Sequence, residues 1–325
     1  MDIIMSESLQ QKFADPHRSV CFVGTTPPKA STEDMQMQEI ADRLLARLET
    51  LEYDGLIVYD IQDESSRIDA PRPFPYMETR DPREYSRLLS ERSQRPIITY
   101  KSVAQRDRAD FEHWLEEAWD DYGVRNLVLV GSPSSEGDIK LSLNEAYTAL
   151  KEHHKPFHLG GVTIAERHAV KGNEHQRLIS KVENGCEFFV SQAVYNAQAT
   201  IDLLTSYARS CREMGVSPKR VILTFTPCGS AKTLEFMQWL GISVPEATRY
   251  RILDAEKPLA ESVRICQNNL EQILDACLPL GLPIGLNIES LTNRKAEIDA
   301  SIQLYQLLKA TLDLRLAERQ LSQSE

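Results

Sequence analysis

Acids, amides, hydroxyls and one lysine follow directly after short apolar runs along this chain, and their types and placement suit chemistry. In chain order they are Gly24-Thr25-Thr26, Tyr59-Asp60, Thr99 and Lys101, Ser132, Thr163, Gln192 to Tyr195, Thr224-Thr226-Cys228, and Asn287 with Glu289. A carboxyl such as Glu289 in a dry cleft keeps its proton to higher pH, which suits a general acid or a substrate anchor. The plainer alternative is a glutamate paired with a nearby arginine or lysine. Asp60 and Lys101 are the other candidates for moving a proton, and Thr226 and Asn287 are candidates for holding a substrate.

Other motifs are weaker. Thr226 to Thr233, TPCGSAKT, sets a Gly-Ser turn before a helix, where backbone N–H groups can hold phosphate. It lacks the GxxxxGK[ST] spacing, so a tight turn with a helix cap explains it equally well. His153, His154 and His158 precede the fifth run, while His168 and His175 follow it without a partner at ligand spacing; no metal is expected. Cys228 has no histidine base by position and reads as a packing thiol.

The elements that must position these groups are eight apolar runs: Val20 to Val23, Gly55 to Tyr59, Pro96 to Tyr100, Asn126 to Val130, Phe157 to Ile164, Glu187 to Val194, Arg220 to Phe225 and Pro283 to Ile288. Helix-like stretches separate them. Ile40, Leu44, Leu45 and Leu48 form one face, and Phe111, Trp114, Leu115 and Ala118 another before Gly123. The pattern predicts an α/β chain forming a (β/α)8 TIM barrel, whose chemistry sits at the strand C-termini. Helices at 231–240 and 258–280 make an extra helical insertion between strands 7 and 8. A proline-rich connection at 63–82 could act as a lid. Residues 1–18 read as an N-terminal extension of a single 325-residue domain.

Composition narrows the partners. With 42% hydrophobic residues, one large core is affordable, and a net charge of -11 with no basic stripe argues against nucleic acid. Six cysteines without paired spacing, no signal-like start and no long apolar stretch predict a cytoplasmic protein with no membrane association. The pattern leaves open whether the chain forms a homo-oligomer.

The segment Lys181 to Asn196, KVENGCEFFVSQAVYN, resembles the methylenetetrahydrofolate reductase pattern K-V-x-x-G-A-x-F-x-x-T-Q-x-x-F/Y-D. FVGTTPPK at 22–29, GVTIAERH at 161–168 and LVLVGSP at 127–133 are similar to further motifs of that family, in the same order. The resemblance implies a (β/α)8 oxidoreductase passing hydride from NAD(P)H, through FAD, to a folate one-carbon substrate. It implies that Gln192 and Tyr195 face the substrate, and that His168, Glu174 and Lys181, with Ser132, Thr163 and Arg177, face the cofactor. A folate glutamate tail would then meet Arg67, Arg72 or Lys232 at the rim.

The chain departs from the family where the chemistry is done. Gly24 replaces the catalytic glutamate, Ser132 the flavin-adjacent aspartate, and Ser180 an arginine for the cofactor phosphates. Losing a general acid commonly costs about 100-fold to 10,000-fold in rate. Two readings follow: a reductase whose acid is supplied by Glu289, Asp60 or Lys101, or a non-reductive folate-binding protein or one-carbon transferase on the same barrel.

Overall fold

The computed structural model describes residues 8–65, 68–132 and 139–323. Eight strands, β1 Cys21–Thr25, β2 Gly55–Val58, β3 Ile97–Ser102, β4 Asn126–Val130, β5 His158–Thr163, β6 Phe188–Ala193, β7 Arg220–Phe225 and β8 Ile284–Ile288, close into one parallel barrel in chain order. Each apolar run thus becomes a strand, because apolar side chains alternate onto two buried faces. Phe22, Ile57, Ile98, Tyr100, Val128, Phe188, Val190 and Ile222 fill the interior. Their neighbours, including Val23, Leu56, Val58, Leu127, Leu129, Phe189, Leu223 and Leu286, pack outward against the helices.

Helices α1 Leu9–Ala14, α2 Asp34–Leu48, α3 Pro82–Ser93, α4 Arg108–Asp120, α5 Leu143–Glu152, α6 Ala165–Lys171, α7 Glu174–Glu183, α8 Ala197–Met214, α9 Ala231–Trp239, α10 Glu246–Leu253, α11 Pro258–Cys277 and α12 Lys295–Gln323 complete the chain. The insertion between β7 and β8 holds three of them, α9 to α11, where the sequence indicated two. Only Ile252 of α10 is buried, so that helix carries no apolar stripe to read.

From residue 8 onward the expected N-terminal extension is part of the barrel. Phe13 of α1 sits under the strands, its ring 5.9 Å from Phe22, 4.9 Å from Phe188 and 5.3 Å from His158. Arg220, 1% exposed, donates to the carbonyls of Lys12, Phe13, Asp15 and Arg18 and to Ile284. One guanidinium therefore ties the leading segment to the barrel floor, satisfying carbonyls that α1 leaves open.

Candidate functional site

At the C-terminal end of the strands, inward parity brings together Gly24, Tyr59, Tyr100, Thr224, Asn287 and Glu289. Asn287 is fully buried; its Nδ2 donates to Tyr59 Oη at 2.7 Å and Thr224 Oγ1 at 3.2 Å. Tyr59 meets the edge of Tyr100 with ring centroids 4.8 Å apart. With its oxygen already accepting from Asn287, the Tyr59 hydroxyl is free to donate, and Glu289 is its hydrogen-bonding neighbour. The Glu289 backbone N–H donates to Phe225 at 3.0 Å, which fixes where its side chain starts. Burial pushes the Glu289 carboxyl up to about 7, against the pull of hydrogen bonds from Tyr59 and Asn287. Burial also raises Tyr59 and Tyr100 well above the usual phenol range, so both are neutral donors.

Asp60 and Lys101, the other candidate proton carriers, sit elsewhere. Lys101 turns outward toward α4, its Nζ 5.3 Å from the Trp114 ring centroid and 3.4 Å from Asp60 Oδ2. Asp60 also accepts from the Ser102 N–H at 2.8 Å and from Gln62 at 2.8 Å. Strand parity decides this, since Asp60 and Lys101 each follow an inward-facing tyrosine and so face the helices.

Gln192 lies at a β6 bulge, where the register to β7 shifts between Val190 and Ala193. The bulge re-aims its side chain, and Nε2 donates to the Leu240 carbonyl at 3.0 Å. Beside it, Thr163, Glu166, Asn196 and Thr200 line a cavity of about 10 Å³, room for one water. Thr163 Oγ1 is buried without a partner there. Glu166, which the sequence did not single out, accepts from the Ser243 N–H at 3.0 Å, and burial raises its carboxyl.

Tyr195 and Thr226 lie beneath the surface. Tyr195 is 1% exposed and donates to the Thr226 carbonyl at 2.7 Å, while Thr226 is fully buried. They hold the end of β7 against α11, through Cys266 and Asn269 of that helix. Cys228 is likewise buried, and burial pushes its thiol up to about 12.

The residues expected to hold FAD do not make a diphosphate cradle. Lys181, 7% exposed, donates to the Val162 carbonyl, and burial brings its ammonium down to about 8. Glu174 is fully buried, accepting from the Ile164 N–H at 3.3 Å and pairing with Arg177 at 3.1 Å. His168 Nε2 lies 3.4 Å from Ser206 Oγ on α8 and its ring meets His175 edge-on. These groups are spent on one another and on backbone behind β5. Ser132 lies two residues beyond β4, at the edge of the described residues.

The turn at 226–233 is already occupied by the chain itself. Glu297, 2% exposed, accepts from the Gly229 N–H at 3.2 Å and from Thr233 Oγ1 at 2.9 Å. The helix-cap reading of that motif is the one the geometry fits.

The long connection after β2 is held at its middle and near its end. Lys29 and Thr79 form an antiparallel bridge, and Trp239 of α9 donates to the Ala70 carbonyl at 3.0 Å. Arg72 lies 5.1 to 5.7 Å from the centroids of Tyr76, Phe236 and Trp239, and Lys232 lies 4.8 Å from Phe74. Arg67 lies outside the described residues, as does Pro133 of the strand-four motif.

Among the described residues one group of metal-capable side chains converges: Glu116, His153 and His154, with ligand atoms within 4.8 Å of one another. His153 Nδ1 accepts from the Lys155 N–H at 3.3 Å, so its proton is on Nε2, facing Glu116 at 3.1 Å. A coordinating ring would need the opposite tautomer. No described helix is long and apolar enough to cross a membrane.

Fold and site together define a (β/α)8 barrel whose mouth holds carboxyls, Glu289 and Glu166, that burial raises and that pair with no described cation. No family model matches the chain, and no curated protein does. Among solved structures, an uncharacterized protein from Clostridium thermocellum, described as binding two copies of 5-methyl-5,6,7,8-tetrahydrofolic acid, is 34% identical with a TM-score of 0.79. The match covers 93% of this chain and 99% of that one, and the chain belongs to that protein's family. More distant likenesses are 2,3-dimethylmalate lyase, at 10% identity, TM-score 0.48 and 97% of each chain, and N-(5'-phosphoribosyl)anthranilate isomerase from Pyrococcus furiosus. The latter is 10% identical with a TM-score of 0.42, covering 89% of this chain and 99% of that one. At that distance neither bears on chemistry.

Proposed function

We propose that this protein binds a tetrahydrofolate derivative at the barrel mouth, as a non-reductive folate-binding protein or one-carbon transferase. The observation that carries the reading is the full-length similarity to a protein described as binding 5-methyltetrahydrofolic acid. The mouth supports it chemically. A pterin ring presents N–H donors and basic nitrogens, and Glu289, Tyr59 and Tyr100 offer an acid and two aromatic faces to meet them.

The rival is reduction with hydride from NAD(P)H through FAD, as in the methylenetetrahydrofolate reductase superfamily, favoured by the motif that forms α7 and β6. The internal bonding of Lys181, Glu174 and His168 and the glycine at position 24 weigh against it. Two measurements separate the readings. Equilibrium dialysis with 5-methyltetrahydrofolate should show saturable binding, and its absence would refute the proposal. The visible spectrum after incubation with FAD and gel filtration should show no retained flavin; a retained band bleached by NADH or NADPH would establish the rival.

A further inference from the structure

We propose that Glu289 is the residue of this barrel that exchanges a proton with the bound ligand, and that position 24 is glycine so that this carboxyl can stand in the mouth. The proposal rests on the folate reading for its ligand and on the geometry of β1 and β8 for its residue.

Strands β1 and β8 pair Cys21 with Leu286, Phe22 with Asn287 and Val23 with Ile288, so the next step sets Gly24 beside Glu289. A Cβ on Gly24 would lie 3.1 Å from Glu289 Cβ, 3.1 Å from Asn287 Oδ1 and 3.0 Å from Tyr59 Cε2. Gly24 is absent from the residues with positive φ, so its backbone does not require glycine. Space favours it: a Cβ there would crowd Tyr59, Asn287 and the Glu289 stem, each of which would have to shift by a few tenths of an ångström.

The surroundings leave that carboxyl able to be neutral. Tyr59 faces it from β2, Tyr100 from β3 and Asn287 from its own strand, and none carries a positive charge. Among the described residues no lysine, arginine or histidine forms an ion pair with it; Lys101, the basic candidate for moving a proton, pairs with Asp60. A carboxyl without a cation and half-buried under aromatic rings is poised to give up its proton only to a base that brings a compensating charge. A basic amine nitrogen of a tetrahydropterin is such a base. The carboxyl O–H bond breaks, the nitrogen lone pair forms the new N–H bond, and the products are a carboxylate and a ligand ammonium held as an ion pair.

The test is calorimetric titration of the whole protein with 5-methyltetrahydrofolate in buffers of different ionisation enthalpy, which counts protons taken up per ligand bound. The count should be close to none at pH 6 and approach one at pH 8, where Glu289 starts ionised, since its carboxyl titrates at about 7. Affinity should then weaken roughly tenfold for each pH unit above that point. Glu289→Gln should bind with no proton uptake and a flat profile. In a Glu289→Gly background, Gly24→Glu puts a carboxyl back into the same space and should restore the uptake. Binding with equal proton counts in wild type and Glu289→Gln overturns the proposal and leaves the folate reading standing. Absence of any tetrahydrofolate binding by wild type overturns both.

Discussion

Replacing Glu289 with glutamine should change how stability depends on pH even with no ligand present. The folded carboxyl holds its proton up to about 7, whereas the ordinary value for a glutamate is 4.5. Between those values the native state binds more protons than the unfolded chain, so stability falls as pH rises across the window. The contribution is fully present below about pH 4.5 and is lost as pH climbs through about 7. A difference of 2.5 units at 1.36 kcal/mol each sets a ceiling of about 3 kcal/mol, trimmed by solvent at the mouth. Glutamine keeps the oxygen that accepts from Tyr59 and has no proton to lose. Urea denaturation of both proteins at closely spaced pH values from 4.5 to 8 should therefore show Glu289→Gln gaining on wild type by up to about 3 kcal/mol. Parallel profiles would refute the claim that burial holds this carboxyl neutral.

Arg220→Met should destabilise the fold by about 3 to 5 kcal/mol, because five carbonyls lose their shared donor; urea midpoints at neutral pH report it. Arg72→Ala should speed tryptic cleavage of the connection after β2 while circular dichroism stays unchanged, since its three cation–π contacts are worth about 0.5 to 2 kcal/mol each. Gln192→Ala should weaken 5-methyltetrahydrofolate binding with little loss of stability, and an unchanged dissociation constant would remove Gln192 from the ligand surface. Gly24→Ala should cost about 1 to 3 kcal/mol by crowding Tyr59, Asn287 and Glu289, and Glu289→Gly in the same chain should relieve part of it, as urea midpoints report.

The barrel was legible because each of its strands is a short apolar run ended by a polar group, a signal that survives whatever the loops do. Helix α10 was not, since a helix with one buried residue has no stripe, and α1 was not, since its anchors are just Leu9 and Phe13. Within the site, sequence located the strand ends but not their facing. Tyr59 and Tyr100 point inward while Asp60 and Lys101 point outward, and one residue of register separates each pair. Counting parity from Ile57 and Ile98 would have found the tyrosines. The Gln192 bulge, by contrast, resets parity in a way that no local composition marks. The α7 motif resembling a cofactor site was readable as a pattern, yet burial of Glu174 and Lys181 is a tertiary fact.

Glu297 fills the turn after β7 with a carboxyl of the chain's own. Barrels of this architecture commonly take phosphate at the loops after strands 7 and 8. Here the chain supplies the anion itself, and a tethered carboxylate competes with any free one at a high effective concentration. A phosphorylated metabolite arriving at this barrel finds its socket plugged by a permanent resident. Any phosphate at this turn would have to displace a carboxyl that the fold already holds there.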